Sequence, residues 1–201
     1  MRVLASTLGL AVLLLAPAEA RELAIASVTP QVACVFAKTC AVTPTDSYGF
    51  IKLFGDGGVG RLLTRTYPGL PGTPAAGLTG YSFQVDMGMA TALGTPNCIE
   101  KLVIDTGPLA SLPYGSKGSS AQLFVVAAQG SAGVSSASQS GSKLTVSFAK
   151  PICPMTHGSR NAPNTDSLYF GFAAKGDPAP AKGQVVADMD GTAVDVRVPR
   201  H

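Results

Sequence analysis

The 201-residue chain has no tryptophan, two histidines, and only 13 per cent charged residues. Each scarcity narrows the range of functions. Sugar-binding modules stack their ligands on exposed Trp and Tyr; here Trp is absent and most Phe fall on strand positions that belong to a core. Tyr67, Tyr114 and Tyr169 are the candidate platforms left, and burial in the core or an edge contact is the expected fate of each. His157, in the loop PMTHGSRNAPN, and His201 have no Gly-x-Ser-x-Gly serine to serve, so a Ser-His-Asp triad lacks its parts. His157 reads as a solvated loop residue. Lys and Arg form no cluster able to neutralise a row of phosphates, and the formal net charge is only +3, so nucleic acid has no electrostatic footprint. No apolar stretch reaches the roughly 18 residues of a membrane-spanning helix.

What is present begins with an export signature. MRVLASTLGLAVLLLAPAEA combines a basic Arg2, an apolar run from Val3 to Ala16, and Ala18-Glu19-Ala20 as a small-residue cleavage site. Cleavage leaves residues 21–201, enough chain for one domain with a substantial core, in the periplasm or the medium. Neither a lipid-accepting Cys near the cleavage site nor a hydrophobic C-terminal tail is evident. In an oxidising compartment the even set Cys34, Cys40, Cys98 and Cys153 is expected to pair. Three connectivities are open, and the closeness of CVFAKTC suggests Cys34 with Cys40, leaving Cys98 with Cys153. Zinc prefers closely spaced C-x(2–4)-C ligands, which this chain lacks, so no metal and no cofactor is expected.

The periodicity is that of strands. Tyr81, Phe83, Val85 and Met87 alternate with Ser82, Gln84 and Asp86; Leu144, Val146 and Phe148, and then Val194, Val196 and Val198, repeat the pattern. Further strands are expected at 22–28, 31–37, 48–54, 61–67, 98–105, 121–127, 167–173 and 183–189, several apolar on both faces. Gly, Pro and Ser clusters separate them, and the stretch 130–143 reads as a long loop or hairpin tip. These features predict an all-β, antiparallel β-sandwich, jelly-roll-like or Ig-like, with disulfides.

Two short motifs invite chemistry. FGDGGVGR, residues 54–61, has the Gly-x-Gly-x-x-Gly spacing of a dinucleotide loop, but such a loop must open a helix, and Pro68 arrives before two helical turns are complete. A turn with Asp56-Gly57 at its corner accounts for the glycines. Asp188-Met189-Asp190-Gly191 echoes a calcium loop without its bidentate Glu, and an Asp-Gly hairpin corner explains it too. KLVIDTGP places Asp105, Thr106 and Gly107 after an apolar run, which resembles the active-site signature of pepsin and retropepsin-like aspartic peptidases. That resemblance implies a catalytic Asp105 sharing a proton with a second carboxylate. No second Asp-Thr/Ser-Gly exists here, and Pro108 stands where that family has a small residue. The competing expectation is a strand end whose Asp and Thr bond the local backbone.

Over roughly residues 77–182 the series GLTGYSFQVDM, NCIEKLVIDTGP, LFVVAAQG, KLTVSFAKPIC and DSLYFGFAAKGDP resembles uncharacterised exported bacterial proteins. The resemblance implies a β-sandwich with Cys98 and Cys153 joining strands, and brings no chemistry. The functional expectation is an exported, non-catalytic β-sandwich whose partner is an envelope or extracellular glycan or protein. An aspartic peptidase using Asp105 is the alternative.

Overall fold

A computed structural model describes residues 19–52, 56–92, 96–115, 118–127, 130–156, 164–187 and 190–200. The strand periodicity of the sequence becomes two six-stranded sheets packed face to face. The first runs β1 (Arg21–Glu22), β10 (Val134–Ser140), β11 (Lys143–Ile152), β8 (Ile99–Asp105), β14 (Pro178–Ala187) and β15 (Asp190–Pro199), antiparallel throughout. The second runs β2 (Ile25–Val28), β9 (Leu123–Val126), β13 (Tyr169–Ala174), β6 (Thr79–Asp86), β5 (Gly60–Pro68) and β3 (Thr45–Ile51). It is antiparallel except for β2, which crosses from the first sheet and pairs parallel with β9. A small third sheet orders β12 (Met155–Thr156), β7 (Ala90–Ala92) and β4 (Asp56–Gly58), with β12 parallel to β7. The sandwich is antiparallel as expected, apart from the parallel pairings of β2 with β9 and β12 with β7.

Alternation decides what lies between the sheets. Tyr81, Phe83 and Val85 of β6 and Phe170 and Phe172 of β13 point inward and are fully buried, facing Leu102, Ile104, Leu144 and Val146 of the first sheet. Phe148 meets Phe170 edge-on at 5.8 Å between centroids, so one aromatic cluster spans both sheets. Each such ring contributes roughly 1.5–3 kcal/mol by leaving water. Both disulfides are formed, Cys34–Cys40 and Cys98–Cys153.

Three local expectations are corrected. Residues 31–37 are not a strand, because Pro30–Val35 form a 3-10 helix followed by a turn, with the Phe36 N–H donating to the Ala33 carbonyl at 3.0 Å. A strand continued through Cys40 would hold it roughly 20 Å from Cys34, far beyond the reach of a disulfide. Residues 134–140 are not loop but β10, and only Gly141 and Ser142 turn the chain into β11. The seryl strand forms because β11 offers it a ladder that runs unbroken from Ser136 opposite Ser147 to Ser140 opposite Lys143, with a bulge at Ser135 before Val134 meets Phe148.

The third correction concerns the glycine loop. β3 and β5 do pair as a hairpin, with Ile51 opposite Gly60, and a strand rather than a helix follows Gly60. Asp56 and Gly57 do not make its corner: they pair with Ala92 and Thr91 in the third sheet, and residues 53–55 lie outside the described residues. Gly58 adopts φ +73°, and a Cβ there would run into the Met89 carbonyl, so this one position requires glycine. Likewise Ala187 stands opposite Asp190 and Val186 opposite Gly191, so Asp190-Gly191 belongs to β15 and does not make a corner, while residues 188–189 lie outside the described residues.

A second core cluster forms on the outer side of the second sheet, where Phe36, Tyr67, Tyr114 and Phe124 pack beneath the disulfide-closed segment. Phe36 and Tyr67 meet edge-on at 4.8 Å. Burial pushes the phenols of Tyr67 and Tyr114 well above the ordinary range. Tyr81 is pushed from 10.0 up to about 12, again chiefly by burial. A tyrosine raised in the folded state leaves stability untouched below pH 10 and lowers it above, since the unfolded chain then ionises while the native one holds its proton. The denaturant midpoint is accordingly expected to stay level up to about pH 10 and fall between about 10 and 12, and Tyr81→Phe to lessen the fall. Urea titrations across that window provide the check; a midpoint flat throughout would contradict the burial of these rings.

Candidate functional site

Asp105, Thr106 and Gly107 end β8. Thr106 is completely buried, its hydroxyl shared between the carbonyls of Gly107 at 3.1 Å and Ser142 at 3.4 Å. The N–H groups of Thr106 and Gly107 both donate to that Ser142 carbonyl, at 2.9 and 3.2 Å, and the Gln139 side-chain amide donates to the Gly107 carbonyl. Gly107 has φ +58° and turns the chain out of the sheet. Asp105 is exposed, and the register brings Lys143, not a carboxylate, opposite it on β11. Thr106 thus ties the end of β8 to the turn that follows β10.

The three candidate platform tyrosines separate. Tyr67 and Tyr114 are core residues of the second cluster, with 7 and 6 per cent of their surface exposed. Tyr169 stays half-buried on the outer face of the second sheet, with the Arg65 guanidinium 5.0 Å above its ring. Burial raises its phenol, and the positive charge of Arg65 opposes the rise. His157 lies outside the described residues.

The largest exposed apolar side chains are ones the sequence did not single out. Tyr48 and Phe50 of β3 and Met89 are 52, 68 and 68 per cent exposed. Their placement follows from the pleat: Asp46, Tyr48 and Phe50 take the outer face while Gly49 and Ile51 turn inward. A Cβ on Gly49 would strike the Asp195 carbonyl of β15, so the inward position must be bare there. Across the ladder Phe50 stands opposite Arg61 and Asp46 opposite Arg65.

Two hollows open at this sheet, the first lined by Tyr48, Phe50 and Met89 and the second by Arg65. Tyr48, Phe50, Val59, Arg61 and Met89 enclose a groove of about 520 Å³. Val42, Pro44, Arg65, Tyr67 and Tyr169 line a second of about 310 Å³ beneath the disulfide-closed segment. The arginine that lines each hollow is held, Arg61 by Asp86 at 2.8 Å and Arg65 by Asp46 at 3.2 Å, and Arg61 also lies 5.9 Å over the Tyr48 ring. Fixed guanidinium groups between apolar rings present directional donors at little conformational cost. Among the described residues no group of three His, Cys, Asp or Glu is placed to hold a metal ion. No family model, curated protein or solved structure matches the chain.

Proposed function

We propose that this is an exported, non-catalytic β-sandwich that binds an envelope or extracellular-matrix partner, glycan or protein, through the outer face of its second sheet. The observation that carries the reading is the groove around Tyr48, Phe50 and Met89, where three large apolar side chains stand exposed beside a paired arginine. Aromatic residues, Met and Arg are the types enriched at the buried centres of protein interfaces, and isolated surface apolars do not ordinarily cluster this way. Export is supported by the leader-like first twenty residues, by two formed disulfides, and by the lack of any long apolar helix among the described residues.

The test is co-sedimentation of the purified protein with isolated envelope and with peptidoglycan, for the wild type and a Tyr48→Ala/Phe50→Ala double variant. Central aromatic anchors typically cost 2 kcal/mol or more on truncation, so the variant is expected to bind about 30-fold more weakly or worse. Equal binding by the two proteins would overturn the reading. Incubation with denatured casein at acid pH separates the aspartic-peptidase alternative, since cleavage abolished by Asp105→Asn would establish an enzyme.

A further inference from the structure

Beside the start of β6 and the end of β13 lies a hollow of about 680 Å³, lined by Leu78, Pro108, Leu109, Ala110, Lys175 and Arg200. Its size falls within the range of small-ligand sites. We propose that this groove binds an aliphatic carboxylate, a fatty-acid type molecule whose chain lies on the apolar floor and whose carboxylate is held by Lys175 and Arg200. The proposal does not depend on the Tyr48 face.

The floor is built by the turn at Gly107. Leaving β8 with positive φ, the chain carries Pro108, Leu109 and Ala110 beside the end of β13: Leu109 bridges Ala174, and the Ala110 N–H donates to the Ala173 carbonyl at 2.9 Å. The Asp-Thr-Gly-Pro run therefore delivers an apolar wall. Lys175 and Arg200 reach the rim from separate elements, Lys175 just after β13 and Arg200 just after β15. Their convergence is enforced by the backbone. The Arg200 N–H donates to the Asp177 carbonyl at 3.0 Å, and Gly176, at φ +100°, lets that terminal segment approach so closely that a Cβ would sit 2.7 Å from the Arg200 carbonyl. From the core, the Tyr81 hydroxyl donates to the Gly176 carbonyl at 3.1 Å and pins the loop between the two cations.

Charge then selects the ligand. Among the described residues of the lining both ionisable ones are cations and none is an acid; the acid nearest in sequence to Lys175, Asp177, is exposed and supplies its backbone carbonyl to Arg200. Two positive groups above an apolar floor favour a ligand that is negative at one end and hydrocarbon beyond. A guanidinium fork matches the two oxygens of a carboxylate. The pairing is partly exposed, so its strength should fall with salt.

Calorimetric titration with decanoate below its micelle concentration, beside decanol and butyrate, tests the assignment. Saturable binding of decanoate is expected, at least about tenfold tighter than either decanol or butyrate. The Lys175→Gln/Arg200→Gln double variant should lose about tenfold or more for decanoate and leave decanol unchanged, while Asp177→Asn should tighten decanoate. Both cations are exposed, so the double variant is expected to fold, and an unchanged urea midpoint verifies it. Absence of saturable decanoate binding, equal affinity for decanol, or an unaffected double variant would each overturn the proposal. Tighter binding of decyl phosphate than of decanoate would also overturn it and point to a lipid headgroup.

Discussion

Replacing Cys98 and Cys153 together by serine is expected to lower the unfolding free energy by about 4 kcal/mol. The bridge closes a loop with a sequence separation of 55, and that length sets the chain entropy it removes from the unfolded state. Its position adds to the effect. It joins β8 to β11 where their ladder is weakest, since the register shifts between Ser147 and Ile152 and Pro151 has no N–H to contribute. Only Ile152 opposite Ile99 resumes the pairing beside the bridge. For a chain of this size the loss corresponds to roughly 8–16 °C in melting temperature. The short Cys34–Cys40 loop, with a separation of 6, is worth only about 2 kcal/mol by the same reasoning and clips the segment over the second cluster. Urea unfolding of the two double-serine variants should rank them in that order; a reversed order would show that the long bridge does not staple β8 to β11.

Phe170→Ala is expected to cost about 3–5 kcal/mol. The ring is fully buried, 5.8 Å from Phe83 on its own sheet and 5.8 Å from Phe148 on the opposite one, so its removal opens a void between the layers. The walls cannot easily close, because β13 is hydrogen-bonded on one side to β6 and on the other to β9. Phe50→Ala supplies the control. That ring is 68 per cent exposed, and its loss should change stability by no more than about 0.5 kcal/mol while weakening envelope binding. Comparable destabilisation by the two substitutions, measured from urea midpoints, would contradict the inward and outward assignments of β13 and β3.

Where a strand alternates between large apolar and polar residues, its inner face was legible in the sequence. Tyr81, Phe83 and Val85 are inward as expected, and so are Val194, Val196 and Val198. Where the alternation is faint, tertiary partners decide. The SSASQS stretch of β10 has no apolar face to announce it, and becomes a strand because β11 pairs with it. PQVACVF has the composition of a strand, yet Pro30 and the nearby pair of cysteines bend it into a 3-10 helix. On β3 the alternation was visible and its sense was not, since Ser47 and Gly49 are weak markers of an interior. The requirement for a bare Gly49 comes from β15, far along the chain.

The same distinction governs the sites. Asp105-Thr106-Gly107 was conspicuous because its letters match a catalytic signature, and in three dimensions Thr106 and Gly107 bond to the turn after β10. Lys175 and Arg200 were inconspicuous because they are remote in sequence, and only the approach of the β15 end to Gly176 brings them to one rim. Tyr67 and Tyr114 carried the hydroxyls expected of a platform. The segment over the second sheet covers them instead.

The account depends on a sandwich that is exported and cross-linked, with Cys34 joined to Cys40 beside the outer cluster and Cys98 joined to Cys153 across β8 and β11. Mass-spectrometric peptide mapping of the protein recovered outside the cytoplasm, digested without reductant, tests this most directly. The account predicts both linked peptide pairs and no free thiol. Four free thiols, or a Cys34 to Cys98 linkage, would contradict it.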